Sequence, residues 1–212
     1  MKLHHLRTAF LVTCWLLVCS QGQAEVTVTG NVDPSGATDP WEIDGDLTVG
    51  STGEGTLNIK SGGVVTNTTG YLGSSSDSVG TATVTGEGSE WKNSSSLYVG
   101  RYGNGTLNIA SGGIVRVEDT TWVAKEAGSS GAINFENGTL TTGGLFSSLG
   151  NLQGTGTINT RGLVSDIDLV FDSQSSLSQS WALDDPGQNI TLNFEVDGTG
   201  DIGAGYEGTA TF

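Results

Sequence analysis

The sequence predicts an all-β protein: a right-handed parallel β-helix, a solenoid of about six or seven coils of roughly 25 residues each. Three observations predict it. The phrase GTLNI, followed by a Gly-Gly turn, occurs at 55–63 and again at 105–113, with weaker copies at near-constant spacing. Within it apolar and polar residues alternate, the period of a strand with one buried face. Between the apolar runs stand Gly, Ser and Asn turns that leave no room for a helix.

Taken in chain order, residues 1–24 read as an export signal. Lys2, His4, His5 and Arg7 form a basic start, AFLVTCWLLVC (9–19) an apolar run too short to span a bilayer, and Gly22-Gln23-Ala24 a small-residue cleavage site. A lipid-anchor reading would use Cys19, but Val18 stands where a small residue is expected. Cys14 and Cys19 both lie in this segment, so the mature chain must hold together without disulfides or thiolate metal sites. Residues 25–46 read as an N-terminal cap, with EVTVTG (25–30) as a capping strand and NVDPSGATDP as a turn-rich connection.

Residues 47–164 carry the repeats. Aligned on its opening glycine, the phrase appears as GTLNI (55–59), GTATV (80–84), GTLNI (105–109), GAINF (131–135) and GTINT (156–160). The glycines step by 25, 25, 26 and 25 residues. Leu57, Ala82, Leu107, Ile133 and Ile158 form one apolar column, with Ile59, Val84, Ile109 and Phe135 two residues on. A second column follows the Gly-Gly turn at Val65, Trp91, Val115, Leu140 and Val164. A third precedes the first in LTVG (47–50), YLG (71–73), LYVG (97–100), WVA (122–124) and SLG (148–150). Three short strands per rung cannot bury their apolar side alone; stacking rungs in register, each strand parallel to its equivalent, buries it. Right-handed winding follows the general crossover preference.

Residues 165–212 break the period and read as irregular C-terminal coils around the strands LVF (169–171) and ITLNFEV (190–196). The chain closes on GTATF (208–212), which matches GTATV and so reads either as a fragment of a longer protein or as a cap.

The residues flanking each inward pair point outward. Thr56, Asn58, Thr81, Thr83, Thr106, Asn108, Asn134, Thr157 and Asn159 form a two-file polar ladder, broken at Ala132, its files about 7 Å apart at roughly 3.3 Å per residue. One reading is mutual hydrogen bonding along the ladder; the sharper one is a flat contact face for glycan, a partner's surface or ice.

The whole chain carries a net charge of −15. Without Lys2 and Arg7, six basic residues face 23 acidic ones, giving −17. That surface repels nucleic acid and anionic lipid, and no segment of the mature chain reads as inserting in a membrane. Asp166, Asp168, Asp184 and Asp185 are the acids closest to a cluster, but the mature chain has no histidine to join them. They read as solvated turns. No catalytic, cofactor or metal residue is assigned, and the chain reads as not an enzyme. Trp91 falls in an apolar column; Tyr98 and Tyr102 flank a turn and leave a carbohydrate-stacking option. The five Asn-x-Ser/Thr triplets read as turn chemistry.

The stretch LYVGRYGNGTLNIASGGIV, with GSEWKNSSS before it, resembles the repeat of Gram-negative autotransporter passengers and related PEP-CTERM surface proteins. The Trp, the VG, the GTLxI and the GG fall in that repeat's order, over about residues 41 to 164. The resemblance implies display at or beyond the outer membrane and an adhesive role toward glycan or a host or neighbouring cell. The chain shows neither the membrane barrel nor the sorting tail of those families. The alternative function is a degenerate polysaccharide-active β-helix of lyase or hydrolase type.

Overall fold

The structure, a computed structural model, describes residues 22–165, 179–194 and 202–204. It is all-β and forms a β-solenoid of about four turns. The cap and first turn hold β1 (Glu25–Gly30), β2 (Val32–Asp33), β3 (Trp41–Glu42), β4 (Leu47–Val49), β5 (Glu54–Lys60) and β6 (Val64–Asn67). The next turns hold β7 (Gly70–Leu72), β8 (Val79–Thr85), β9 (Glu90–Asn93), β10 (Leu97–Val99), β11 (Asn104–Ala110) and β12 (Ile114–Val123). Then come the long bent strands β13 (Ser130–Phe146) and β14 (Leu152–Ser165), and β15 (Gln179–Leu183), β16 (Gln188–Phe194) and β17 (Ile202–Ala204).

Three parallel ladders run along the axis. The first pairs β5, β8, β11 and the start of β13, setting Leu57, Ala82, Leu107 and Ile133 side by side, and Ile59, Val84, Ile109 and Phe135 beside them. The second sets Trp41, Val65, Trp91, Val115 and Leu140 in one file. The third sets Val49, Leu72, Val99 and Val123 in another. These side chains are buried and form one continuous core. Each removes apolar surface that a single rung would expose, about 1.5–3 kcal/mol per large side chain, so burial is delivered by the neighbouring coil.

The opening glycine of the phrase has a steric cause. A Cβ on Gly80 would run into the Val49 carbonyl oxygen, and one on Gly105 into the Gly100 amide nitrogen. Gly80 lies where successive coils touch and Gly105 inside the tight corner of its own coil, and at both only hydrogen fits.

β1 lies antiparallel on β5, with Val26 opposite Ile59 and Val28 opposite Leu57, so the first rung's open edge is covered. The solenoid itself begins earlier than residue 47, because Trp41 in β3 already pairs with Val65.

The register after Leu140 corrects the alignment. Ile158 stands beside Leu140, not Ile133, whose neighbour is Leu152. Val164 stands beside Phe146 in the third ladder rather than in the second column. Residues 148–150 are not a strand of the third column: Leu149–Asn151 is a single 3-10 turn. The reason is a shortened corner. Earlier coils pass from third to first ladder through loops such as RYGNG, whereas here the 3-10 turn alone connects them. The phrase GTINT therefore lands on GTLTT (138–142), which offers the same alternation.

Candidate functional site

The expected Thr/Asn ladder exists over four coils. Thr56, Thr81, Thr106 and Ala132 form its first file; Asn58, Thr83, Asn108 and Asn134 form its second. Asn134 Nδ2 donates to Asn108 Oδ1 at 2.9 Å, and Asn108 Nδ2 donates to Thr83 Oγ1 at 3.3 Å. Three of the four members of the second file, Thr83, Asn108 and Asn134, are thus bound rung to rung. Thr157 and Asn159 do not belong to it. They pair with Thr139 and Thr141 on the second ladder, where Asn193 Nδ2 donates to Asn159 Oδ1. After Asn134 the first-ladder file continues with Gln153.

Trp91 is core, fully buried, its indole N–H donating to Asn67 Oδ1 at 2.7 Å. Asn67 Nδ2 in turn donates to Asn93 Oδ1 at 2.9 Å. This inward amide ladder stops there, because the next residue in register is Val117, which has no acceptor. Asn93 Nδ2 accordingly has no partner among the described residues.

The outward file of the third ladder is aromatic. Tyr71, Tyr98, Trp122 and Phe146 are register neighbours. Their rings stack with centroids 5.1, 6.5 and 4.0 Å apart and near-parallel planes. Two cations cover them: the Arg101 guanidinium lies 5.2 Å from the centroids of Tyr71 and Tyr102, and Lys125 Nζ 4.8 Å from that of Trp122. Tyr102 is the exposed member. Burial first, then the Asp46 carboxylate, pushes the Tyr71 phenol above its ordinary value against the pull of Arg101.

Beside this stack runs an open groove of about 550 Å³. Its floor comes from the residues just before each inward residue of the third ladder: Ser96, Thr120, Gly144 and Gly162. Tyr98, Trp122 and Phe146 form one wall; Glu118, Asp119 and Arg161 form the other. The concavity has a local cause. The strand pairing shifts register between Val117 and Thr120, so Glu118 and Asp119 oppose Gly143 alone. Such a bulge turns its side chains outward, while Gly143 and Gly144 leave the next coil bare. Asp119 Oδ2 accepts from Ser95 Oγ at 2.9 Å.

On the second ladder's outer face, Glu90 holds Lys92 at 2.9 Å and Arg116 at 2.6 Å. Burial would raise this carboxyl, but the bonds and charges of Lys92 and Arg116 outweigh it and hold it below the ordinary value.

Asp184 and Asp185 are exposed between β15 and β16, and Asp166 and Asp168 lie outside the described residues, as do residues 169–171 and 208–212. Among the described residues no group of three or more His, Cys, Asp or Glu gathers to hold a metal, and no helix is long and apolar enough to cross a membrane. No family model, curated protein or solved structure is matched by the chain.

The aromatic file was legible in part. LYVG and WVA were aligned in one column, which placed Tyr98 over Trp122. Tyr71 was in that column too, but Phe146 was hidden by the shortened coil.

Proposed function

We propose that the protein is a non-enzymatic structural and adhesive module, exported by its N-terminal signal and displayed outside a Gram-negative cell. The observation that carries this reading is the solenoid's outer surface: in-register coils repeat the same outward side chains, which yields extended flat faces suited to contact another surface. The residue order within the repeat supports autotransporter-passenger or PEP-CTERM kinship. Right-handed winding and six or seven coils belong to the same reading. Pairing past the regular turns into β14, β16 and β17 supports the longer count.

The Thr/Asn ladder is tested by Thr81→Lys together with Asn108→Lys. Loss of adhesion to cells at unchanged melting temperature makes it the contact face; a lower melting temperature with adhesion intact makes it structure alone. The alternative polysaccharide-active reading is tested by incubating the protein with pectin and alginate, with and without calcium. No cleavage is expected; cleavage abolished by Asp168→Asn overturns the non-enzymatic reading.

A further inference from the structure

We propose that the groove between the aromatic stack and the Glu118–Asp119 bulge is a saccharide site, which takes a neutral, extended β-1,4-linked glycan along the solenoid axis. The proposal rests on the adhesive reading above and names the contact and its chemistry.

Three properties of the groove point to this ligand. Its walls differ in kind. One is aromatic: Tyr98, Trp122 and Phe146 turn their faces to one another, so the groove meets their apolar edges, and Tyr98 and Trp122 bring a phenol and an indole N–H. Among the described residues neither of these polar groups has a hydrogen-bond partner, nor does the Glu118 carboxylate. The other wall is polar: Glu118 and Asp119 are acceptors, and Arg161 is a donor. A pyranose has the matching amphipathic form, with apolar C–H groups that pack against ring edges and hydroxyls that meet the polar groups of both walls. Carboxylates accept well from paired hydroxyls.

The groove also runs lengthwise. From Ser96 to Gly162 it crosses three coil spacings of about 4.8 Å each. The sugars of an extended β-1,4 chain advance by close to that spacing, alternate units turned over, so successive units fall beside successive rungs at Ser96, Thr120, Gly144 and Gly162. A helical or compact glycan would leave the line after one unit.

Charge selects a neutral chain. Two of the three ionic wall residues are carboxylates, and the whole molecule carries −15. A polyuronate would approach against that field.

The geometry also supplies the variant that tests the idea. Gly144 has ordinary backbone angles, and a Cβ there would lie 3.4 Å from Thr120 Oγ1, an ordinary contact. Gly144→Leu therefore fills the groove without forcing the backbone. Glu118→Lys, at an exposed position, alters the polar wall and leaves the core untouched.

The full chain is titrated calorimetrically with cellohexaose and, separately, with a hexamer of galacturonate. Cellohexaose is expected to bind, the uronate not, and both variants are expected to weaken cellohexaose at least about tenfold at unchanged melting temperature. Equal binding of cellohexaose to wild type and both variants overturns the groove assignment. Binding of the uronate alone overturns the choice of a neutral chain. Binding of neither overturns the proposal, while the adhesive reading is judged separately by whether the protein still adheres to cells. If Gly144→Leu does not fold, Glu118→Lys decides alone.

Discussion

The outer face of the GTLNI strands and the outer face of the LYVG strands rest on equally regular parallel ladders, yet they differ in every physical respect. The first is flat and repeats Thr and Asn, with Asn134, Asn108 and Thr83 tied in one chain of hydrogen bonds. The second changes from coil to coil through Tyr71, Tyr98, Trp122 and Phe146, carries cations over its rings and borders a groove. Inward residues explain the fold for both. Repetition outward is accounted for by bonds between like side chains; variation outward on an unvarying backbone is what a specific contact would require. The difference places the candidate site on the less repetitive face.

The comparison breaks first if the two faces do not share one core. Leu107 is fully buried between Ala82 and Ile133 behind the polar face, and Leu145 is fully buried beside Thr121 and Leu163 behind the aromatic one. Leu107→Asp and Leu145→Asp should each cost at least about 3 kcal/mol, since each buries a carboxylate without a partner. Asn104→Asp, at the exposed first residue of β11 where the side-chain oxygen accepts from Ser130 Oγ, should cost less than about 0.5 kcal/mol. Urea midpoints measure all three; coincident midpoints for Leu107→Asp and Asn104→Asp would remove the column assignment.

Next come the outward residues. Trp122→Ala deletes a ring stacked between Tyr98 and Phe146 and under Lys125, an expected loss of about 2 kcal/mol. Asn108→Ala deletes two half-buried hydrogen bonds, an expected loss of about 1 kcal/mol. A larger loss at Asn108 than at Trp122 would reverse the ranking of the two faces as sources of stability.

How far the sequence spoke depends on the same contrast. Columns through Leu57, Ala82, Leu107 and Ile133 were readable because each rung repeats the 25-residue period, and because alternation fixes which side is inward. Reading failed after Leu140. There the next rung takes only eighteen residues, from Leu140 to Ile158, and a slip by a whole corner preserves inward and outward alternation. GTINT fits under GAINF and under GTLTT equally well by pattern; the 3-10 turn at Leu149–Asn151 decides, and nothing in the period announces it. Thr157 and Asn159 were therefore assigned to the wrong face, and Phe146 was missed in the aromatic file. The groove was unreadable for a related reason. It arises from a two-against-one bulge at Glu118–Asp119 beside glycines, a departure from the repeat that alignment suppresses.

Titration sharpens the contrast at high pH. The Tyr71 phenol is raised in the folded state, so its contribution is complete below the unfolded value of about 10 and is lost as pH rises through the folded one. Tyr71→Phe should flatten the alkaline decline of stability above about pH 10, while Asn108→Ala should leave that decline unchanged. An alkaline limb equally steep in Tyr71→Phe and wild type would show that the stack does not govern it.

The smallest effect lies on the face between the two, at Glu90. Its carboxyl is lowered in the folded state by Lys92 and Arg116 despite burial. A lowered folded value means the unfolded chain binds the proton first as pH falls. The contribution is therefore present above the unfolded value of about 4.3 and is lost as pH drops through the folded one. The side chains of Lys92 and Arg116 are 47% and 48% exposed, so solvent screens the pairs and the stabilisation stays under about 1 kcal/mol. Glu90→Gln keeps the shape and removes the charge. Its urea midpoint should lie slightly below wild type at pH 7, and the gap should close progressively as pH falls below the unfolded value of about 4.3. Added salt at pH 7 should narrow the gap, as the pairs are near the surface. A gap that widens on acidification would mean that burial, not the two cations, sets the carboxyl's value, and would sink the ion cluster as a source of stability.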